Sequence, residues 1–224
     1  MSEKFWLAKN EHRELCAYSD ESINLAPIKV DFLHGRFANR LRQNSGLKEP
    51  LAKAVGLRGK QSLTVIDATA GFGRDSMLLA ILGCSVVMIE QSAMMVALLQ
   101  DALERAQNNP FYAKIIADKR ITCILGPAQQ EIPRILMSQP IDVIYLDPMF
   151  PTRTKSAAVK KEMQFLHALV GNESDEANAL LTIALATSVA RIVVKRPMQA
   201  PILGDIKPHH SIDAGQMRFD VYLK

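Results

Sequence analysis

The feature of this chain that most constrains its fold is an alternation, from Leu63 onward, of short β-rich runs with longer amphipathic runs. This order is typical of β-α-β units, in which helices connect and cover parallel strands. The run at 218–223 alternates apolar with polar residues and predicts an antiparallel edge strand. The sequence therefore predicts an α/β fold with a mostly parallel sheet. The predicted strands are 63–67, 85–90, 120–125, 141–147 and 191–195, and the predicted helices are 73–82, 93–107, 129–137, 159–169 and 176–186.

Residues 1–60 do not follow this alternation, and they predict a small N-terminal extension packed on a body formed by residues 61–224. A length of 224 residues suits one principal α/β core, and 48% apolar with 22% charged residues is typical of a globular chain. The three cysteines form no C-x-x-C pair, which favours a reducing compartment. The most apolar stretch, 77–89, is too short to cross a bilayer. We therefore expect a cytoplasmic protein with no membrane partner.

A glycine-rich turn, Asp67-Ala-Thr-Ala-Gly-Phe-Gly-Arg-Asp75, lies between the first predicted strand and the following helix. Such a turn lets backbone approach a ligand closely, and the helix start offers free N–H groups. A dinucleotide fingerprint would have a third glycine where Ser76 stands. The carboxylates of Asp67 and Asp75 would repel a pyrophosphate but attract a cation. The turn therefore favours S-adenosylmethionine (SAM), which carries an ammonium and a sulfonium but no phosphate.

Two further positions fit a cofactor site at the ends of the predicted strands. Glu90 ends the second strand, where a carboxylate can accept both ribose hydroxyl hydrogens, although NAD enzymes share this feature and a solvated acid at a strand end is the alternative. Gly126 follows the third strand, where a loop along the adenine edge is expected.

The fourth predicted strand ends in Asp147-Pro-Met-Phe150, at the edge where ligands of open α/β sheets bind. The Asp147 carboxylate and the carbonyl of Asp147 or Pro148 can accept the hydrogens of a planar amine while its nitrogen attacks a methyl group. Phe150 can stack on an extruded base. The alternative is an ordinary Asp-Pro turn followed by core residues.

The ordered motifs D-x-T-A-G-x-G-R-D, Asp147-Pro-Met-Phe-Pro151, K-S-A-x-V-K-K-E-M at 155–163 and Val193-Val-Lys-Arg-Pro197 resemble the RsmJ family of 16S ribosomal RNA guanine-N2 methyltransferases. The resemblance implies a Rossmann-like class I methyltransferase fold and methylation of the exocyclic amine of one guanosine in small-subunit rRNA. It also implies cofactor contacts at Arg74, Asp75, Glu90 and Asp147. The chain departs from the family pattern at Gln91 and at 126–128, and Met149 departs from the Asp/Asn-Pro-Pro-aromatic form that is common among amino-methyltransferases. The predicted cofactor-binding residues are Asp67, Thr69, Gly71, Gly73, Arg74, Asp75, Glu90, Gln91, Gly126, Pro127, Ala128 and Asp147, and the predicted catalytic residues are Asp147, Pro148 and Phe150.

Basic residues concentrate outside the predicted cofactor turn. Residues 28–60 hold eight basic side chains against Asp31 and Glu49, a pattern suited to phosphate binding by counterion release. Phe32 and Phe37 interleave with them and can stack bases, although a solvated basic face over buried phenylalanines is the alternative. The predicted partner is 16S rRNA or the small ribosomal subunit. The predicted RNA-binding residues are Arg36, Arg40, Arg42, Arg153, Lys155, Lys160, Lys161, Lys195 and Arg196.

Two other functions remain open at this stage. One is methylation of another planar amine, such as adenine in nucleic acid or glutamine in a protein, and the other is a non-catalytic RNA-binding assembly factor. No metal site is expected, because the pair His209-His210 has no further ligand residues near it in the sequence.

Overall fold

The structure is a computed structural model that describes residues 4–20, 23–43, 46–59, 62–118, 120–148, 164–165 and 174–224. Its strands are β1 (Phe5–Lys9), β2 (Leu15–Ser19), β3 (Thr64–Asp67), β4 (Ser85–Glu90), β5 (Ile121–Leu125), β6 (Val143–Leu146), β7 (Arg191–Pro197), β8 (His210–Ala214) and β9 (Met217–Leu223). Its α-helices are α1 (Gly35–Arg42), α2 (Pro50–Val55), α3 (Arg74–Ile81), α4 (Ala93–Gln107), α5 (Pro110–Ala117), α6 (Ala128–Ser138) and α7 (Ser174–Ala186).

Seven strands form one sheet in the order β5-β4-β3-β6-β7-β9-β8. The five strands from β5 to β7 run parallel, and β9 pairs antiparallel with both β7 and β8. The chain leaves β3 toward β4 and β5 and later returns to the other side of β3 with β6. Ligands of open α/β sheets bind at such a reversal, beyond the carboxyl ends of the strands.

The predicted α/β class is confirmed, and the five predicted parallel strands follow one another as predicted, but the helix α5 between α4 and β5 was not predicted. The C-terminal strand is antiparallel as predicted, but its predicted edge position is wrong, because β8 pairs with β9 and occupies the edge. The sequence of β8, His-Ser-Ile-Asp-Ala, is mostly exposed and lacks the apolar runs that marked the other strands. The helix predicted at 159–169 lies outside the described residues except for Gln164 and Phe165, which are helical.

The central strands are buried on both faces, as expected when helices cover both sides of a parallel sheet. Val65 and Tyr145 point into one core with α3, α4 and α5, while Ile66 and Ile144 point into the other with α6 and α7. This two-sided burial explains why the strands are continuous apolar runs in the sequence.

The N-terminal extension consists of a β1–β2 hairpin followed by α1 and α2, and it packs on the first of these cores. Tyr112 of α5 donates its hydroxyl to the carbonyl of Phe32 at 2.6 Å, and Arg105 of α4 donates to the carbonyl of Val30 at 2.5 Å. Phe32 is only 1% exposed. The extension therefore shares its core with β3 and β4, and the division at residue 60 stays a prediction.

Ion pairs reinforce this attachment. Lys29 contacts Glu14 at 2.5 Å and Asp31 at 3.4 Å, and Arg105 lies 3.9 Å from each of the same two acids. The side-chain atoms that could bind a metal ion in Glu14, Asp31 and His34 lie within 4.8 Å of one another. Lys29 and Arg105 both contact the two carboxylates of this group. No helix in the described ranges is both long and apolar enough to cross a membrane.

Candidate cofactor and catalytic site

A pocket opens at the carboxyl ends of β3, β4 and β6, where the strand order reverses. Parallel strands bring residues that are far apart in the sequence to this one edge, because Asp67 pairs with Met88 on one side and with Tyr145 on the other. Eight of the residues predicted for the cofactor or for catalysis line the pocket. They are Thr69, Gly71, Glu90, Gln91, Gly126, Ala128, Asp147 and Pro148.

The glycine turn curls over the end of β3 and is held by hydrogen bonds. The Gly71 N–H donates to a carboxylate oxygen of Glu90 at 3.0 Å, and the Gly73 N–H donates to the carbonyl of Ala70 at 2.7 Å. Gly73 has a φ of +66°, and a Cβ there would lie 2.7 Å from Leu99 Cδ2. Gly73 does not line the pocket. A glycine is required at this position because the turn packs directly on Leu99 of α4.

Asp67 lies under the turn instead of on the pocket wall. It is 2% exposed and accepts hydrogen bonds from the Ser76 hydroxyl at 2.5 Å and the Thr69 N–H at 3.2 Å. Burial raises its pKa to about 7. The predicted attraction of Asp67 for a cationic methionine end stays a prediction, and the burial of Asp67 beneath the turn weighs against it.

Glu90 is the acid that the pocket presents at the end of β4. Its two oxygens accept the N–H groups of Ser92 at 2.8 Å and Gly71 at 3.0 Å, which fixes the carboxylate. Burial raises its pKa, although these backbone bonds favour the ionised form. A carboxylate oxygen has two lone pairs, so each oxygen can still accept a ribose hydroxyl.

Asp147 and Pro148 lie on the pocket wall directly after β6. The Asp147 N–H donates to the Thr69 hydroxyl at 2.6 Å, which ties the end of β6 to the turn after β3. Asp147 Oδ2 accepts a hydrogen bond from Lys195 Nζ at 2.8 Å. Burial raises the pKa of Asp147, the charge of Lys195 opposes that rise, and the charge of Asp75 adds to it. This residue gives the pocket a fixed hydrogen-bond acceptor.

Asp75 and Lys195 form one network beside the pocket. Asp75 Oδ2 accepts from the Tyr145 hydroxyl at 2.6 Å and from Lys195 Nζ at 2.7 Å. Burial opposes ionisation of Asp75, but the charge and hydrogen bonds of Lys195 and Tyr145 lower its pKa. Asp75 therefore faces protein groups and does not line the pocket. The bonds of Lys195 to Asp75 and Asp147 differ from the phosphate contact that the sequence predicted.

Arg74 and Pro127 were also predicted to contact the cofactor, and neither lines the pocket. The Arg74 guanidinium lies over the ring of Phe72 at 5.2 Å and over that of Phe37 at 6.0 Å, which brings α1 against the cofactor turn. Pro127 precedes the first residue of α6, so it shapes the loop next to Ala128.

The predicted RNA-binding residues have different environments. Arg36, Arg40 and Arg42 are exposed on α1. Arg196 is 2% exposed and donates to the carbonyl of Pro201 at 2.6 Å, so its burial weighs against the predicted role in RNA binding, which stays a prediction. Consecutive side chains of a strand point to opposite faces, which is why its neighbour Lys195 reaches the site and Arg196 does not. Phe150, Arg153, Lys155, Lys160 and Lys161 lie outside the described residues.

Several pocket residues were missed by sequence reasoning. Gln129 stands in the first turn of α6 after the Gly126 loop, which was a usable signal. Glu176, Ala177 and Leu180 come from α7, whose helical periodicity says nothing about which strand ends it approaches. The remaining missed residues, Ala68 and Ile89, are small or apolar neighbours of predicted ones.

Carboxylates, amides, small residues and apolar side chains make up this pocket, and among its described lining residues none is lysine or arginine. Such a wall suits a ligand with positive charge and no phosphate. The switch-point location, the bent glycine turn and the acid at the end of β4 together define a SAM-dependent methyltransferase.

Comparisons with known proteins agree. A family model described as "Putative SAM-dependent methyltransferase" matches residues 1–224. The chain is 47% identical over 198 residues to Ribosomal RNA small subunit methyltransferase J of Nitrosococcus oceani, covering 88% of this chain and 77% of that protein. It is 45% identical over 222 residues to the protein of the same name from Colwellia psychrerythraea, covering 99% and 79%.

A solved structure gives the same result. The SAM-dependent methyltransferase NGO1261 from Neisseria gonorrhoeae superposes with a TM-score of 0.76 at 34% identity, covering 100% of this chain and 84% of that one. The chain belongs to the ribosomal RNA small subunit methyltransferase J family.

Proposed function

We propose that this chain transfers the methyl group of SAM to the exocyclic N2 amine of a guanosine in the 16S rRNA of the small ribosomal subunit. The printed names of its relatives support an rRNA substrate. The observation that carries the proposal is the position of Asp147 and Pro148 on the wall of the same pocket as the Gly71 turn and Glu90. An acceptor for amine hydrogens therefore adjoins the methyl donor site.

The pocket residues divide into parts that suit the parts of the donor. Glu90 is suited to the ribose hydroxyls, the turn at Thr69 and Gly71 to the methionine end, and the loop at Gly126 to the adenine edge. SAM supplies an electrophilic methyl group on a positively charged sulfur. The absence of a basic side chain among the described lining residues suits that charge.

The chemistry required of this chain is modest. The guanine amine nitrogen is conjugated, so acceptors that hold its hydrogens help its lone pair to point at the methyl carbon. As the nitrogen forms the new N–C bond, the C–S bond breaks with its electrons kept by sulfur, and positive charge develops on nitrogen. The Asp147 carboxylate stabilises that charge, and one N–H proton leaves to the carboxylate or to solvent.

The exposed basic face of α1 supports a nucleic-acid substrate. Arg36 and Arg40 are one helical turn apart, and α1 lies against the cofactor turn through the contacts of Arg74 with Phe37 and Phe72. Phosphates bound there would lie on the same side of the molecule as the cofactor turn, so an extruded base could enter the pocket.

The test is transfer of labelled methyl groups from SAM to small ribosomal subunits from cells that lack this protein, followed by nuclease digestion and mass spectrometry. We expect N2-methylguanosine in the RNA. Asp147→Ala should bind SAM within about threefold of the wild type in calorimetry but lose about 100-fold or more in transfer rate. Asp118→Ala is the matched control, because Asp118 is an exposed aspartate before β5, at the amino ends of the parallel strands and away from the pocket at their carboxyl ends.

The same assay with DNA and protein pools separates this function from its rivals. Label in adenine or in protein alone, or full transfer by Asp147→Ala, would contradict the proposal. RNA affinity without SAM binding would indicate a non-catalytic assembly factor.

A further inference from the structure

The side chain of Lys195 is placed between two acids rather than toward solvent. Its Nζ lies 2.7 Å from Asp75 Oδ2 and 2.8 Å from Asp147 Oδ2, and only 21% of the side chain is exposed. Strand register explains the contact, because Leu146 pairs with Val194 and the next residues of the two strands are Asp147 and Lys195. An ammonium with two carboxylate partners at these distances is a poor phosphate ligand.

The network continues from Lys195 to the cofactor turn. Asp75 stands in the first turn of α3, where the helix N-terminus favours a negative charge. The Tyr145 hydroxyl donates to the same oxygen of Asp75 that Lys195 contacts. One end of the network is thus anchored at the start of the helix that follows the glycine turn, and the other end is the acceptor on the pocket wall.

We infer that Lys195 is a positioning residue for methyl transfer, which holds the Asp147 carboxylate ionised and oriented at the pocket wall and ties it through Asp75 to the cofactor turn. This inference rests on the proposed function, in which Asp147 accepts the amine hydrogens. With Oδ2 bonded to Lys195, Asp147 keeps Oδ1 for the substrate amine.

The positive charge of the Lys195 ammonium is needed to keep both neighbouring carboxylates ionised. Asp75 and Asp147 bond the same nitrogen, so without it two negative charges would face each other at short range in a partly buried place. A carboxylate in that situation takes up a proton more readily, whereas a nearby cation keeps it ionised. Protonated Asp147 accepts amine hydrogens less well, so the loss of Lys195 should weaken transfer most at low pH.

The first experiment measures the Asp147 carboxyl directly, without rRNA. Protein labelled with ¹³C at the aspartate carboxyl carbon is titrated by NMR, and the Asp147 signal is assigned from its absence in Asp147→Asn. In Lys195→Met and in Lys195→Gln, we expect the pKa of Asp147 to rise by about one unit or more. Lys195→Arg, which keeps the charge, should restore most of the wild-type value. An unchanged pKa in both neutral variants would overturn the inference.

The second experiment measures pH profiles of methyl transfer for the same variants. In the neutral variants we expect the acidic limb of the kcat profile to shift to higher pH by the same amount as the pKa of Asp147. A shift of one pH unit lowers kcat about tenfold at pH values on that limb. The KM for the ribosomal subunit should stay within about twofold of the wild-type value. Lys207→Met is the matched control, because Lys207 is an exposed lysine that precedes the edge strand β8, which is separated from β7 by β9. A raised KM with an unshifted limb would instead assign Lys195 to RNA binding and overturn the inference.

The two readouts separate this inference from the proposed function. If the wild type methylates no rRNA, the proposed function fails, while the carboxyl titration still decides whether Lys195 controls Asp147. If the wild type methylates rRNA and the neutral variants keep its pH profile, only the role of Lys195 fails. Lys195→Gln retains a polar side chain, so a folding defect in Lys195→Met leaves the test intact.

Discussion

Replacing Gly73 with alanine tests whether the cofactor turn is held by packing as well as by backbone conformation. The residue has φ +66° and ψ 17°, which is left-handed backbone that side chains rarely adopt. Gly204 has nearly the same conformation, φ +61° and ψ 17°, in a short helical turn far along the chain. The two glycines differ in their surroundings. A Cβ at Gly73 would lie 2.7 Å from Leu99, whereas the nearest atom to a Cβ at Gly204 is 3.7 Å away.

The comparison separates two costs. Alanine in left-handed backbone costs about 1 kcal/mol at either position. At Gly73 the Cβ also crowds Leu99, Met88 and Phe32 in a packed core, and such overpacking adds about 1 to 3 kcal/mol. We therefore expect Gly204→Ala to lower the free energy of unfolding by about 1 kcal/mol and Gly73→Ala to lower it by about 3 kcal/mol.

The assay is equilibrium unfolding in urea followed by circular dichroism, with SAM affinity measured by calorimetry on the folded variants. Gly73→Ala should also weaken SAM binding, because the turn must shift to accommodate the methyl group. Equal losses of stability in the two variants would refute the packing argument and leave only backbone strain.

Three further predictions concern the acids of the site and the basic helix. Glu90→Gln should lower SAM affinity about tenfold in calorimetry, because a charged acceptor of ribose hydroxyls is lost, and an unchanged affinity would remove Glu90 from the site. The folded-state pKa of Asp67, about 7, lies above its ordinary value of 3.8, so its contribution to stability is present at low pH and is lost as the pH rises through about 7. As the pH rises from 4 to 8, the free energy of unfolding of Asp67→Asn in urea should therefore increase relative to that of the wild type. Parallel curves of unfolding free energy against pH would contradict this. Arg36→Ala with Arg40→Ala should weaken RNA binding and reduce the slope of log affinity against log salt by about 0.7 per lost phosphate contact, whereas Lys207→Ala should leave that slope unchanged.

The sequence was most informative where burial is two-sided. The strand at 85–90 is apolar at its four central positions because helices cover both faces of the sheet, so its bounds were predicted correctly. The exposed strand β8 carries a histidine, a serine and an aspartate among its five residues, and such a composition gives no strand signal. Because β8 was not predicted, β9 was predicted to be the edge strand, whereas it lies one place further in, between β7 and β8.

The site was predicted in outline because the carboxyl ends of parallel strands meet at one edge. The sequence could not say which acids face the ligand. Asp67 and Asp75 flank the turn alike, yet one lies buried beneath it and the other bonds Lys195. Lys195 is 120 residues from Asp75 in the chain, and the two meet only because β6 pairs with β3 on one side and with β7 on the other.

The packing of Phe32 beneath the cofactor turn has a mechanical consequence. Its ring lies 3.4 Å from where a Cβ of Gly73 would stand, and its carbonyl is anchored by Tyr112, so the segment leading into α1 and the donor-binding bend share one wall. If RNA binds α1 as proposed, a shift of α1 would move the cofactor turn as well, and linkage would then require that SAM binding change the affinity for RNA by the same factor. A chain shortened to residues 61–224 would lose the part of the hydrophobic core that Phe32 and its neighbours in the N-terminal extension contribute.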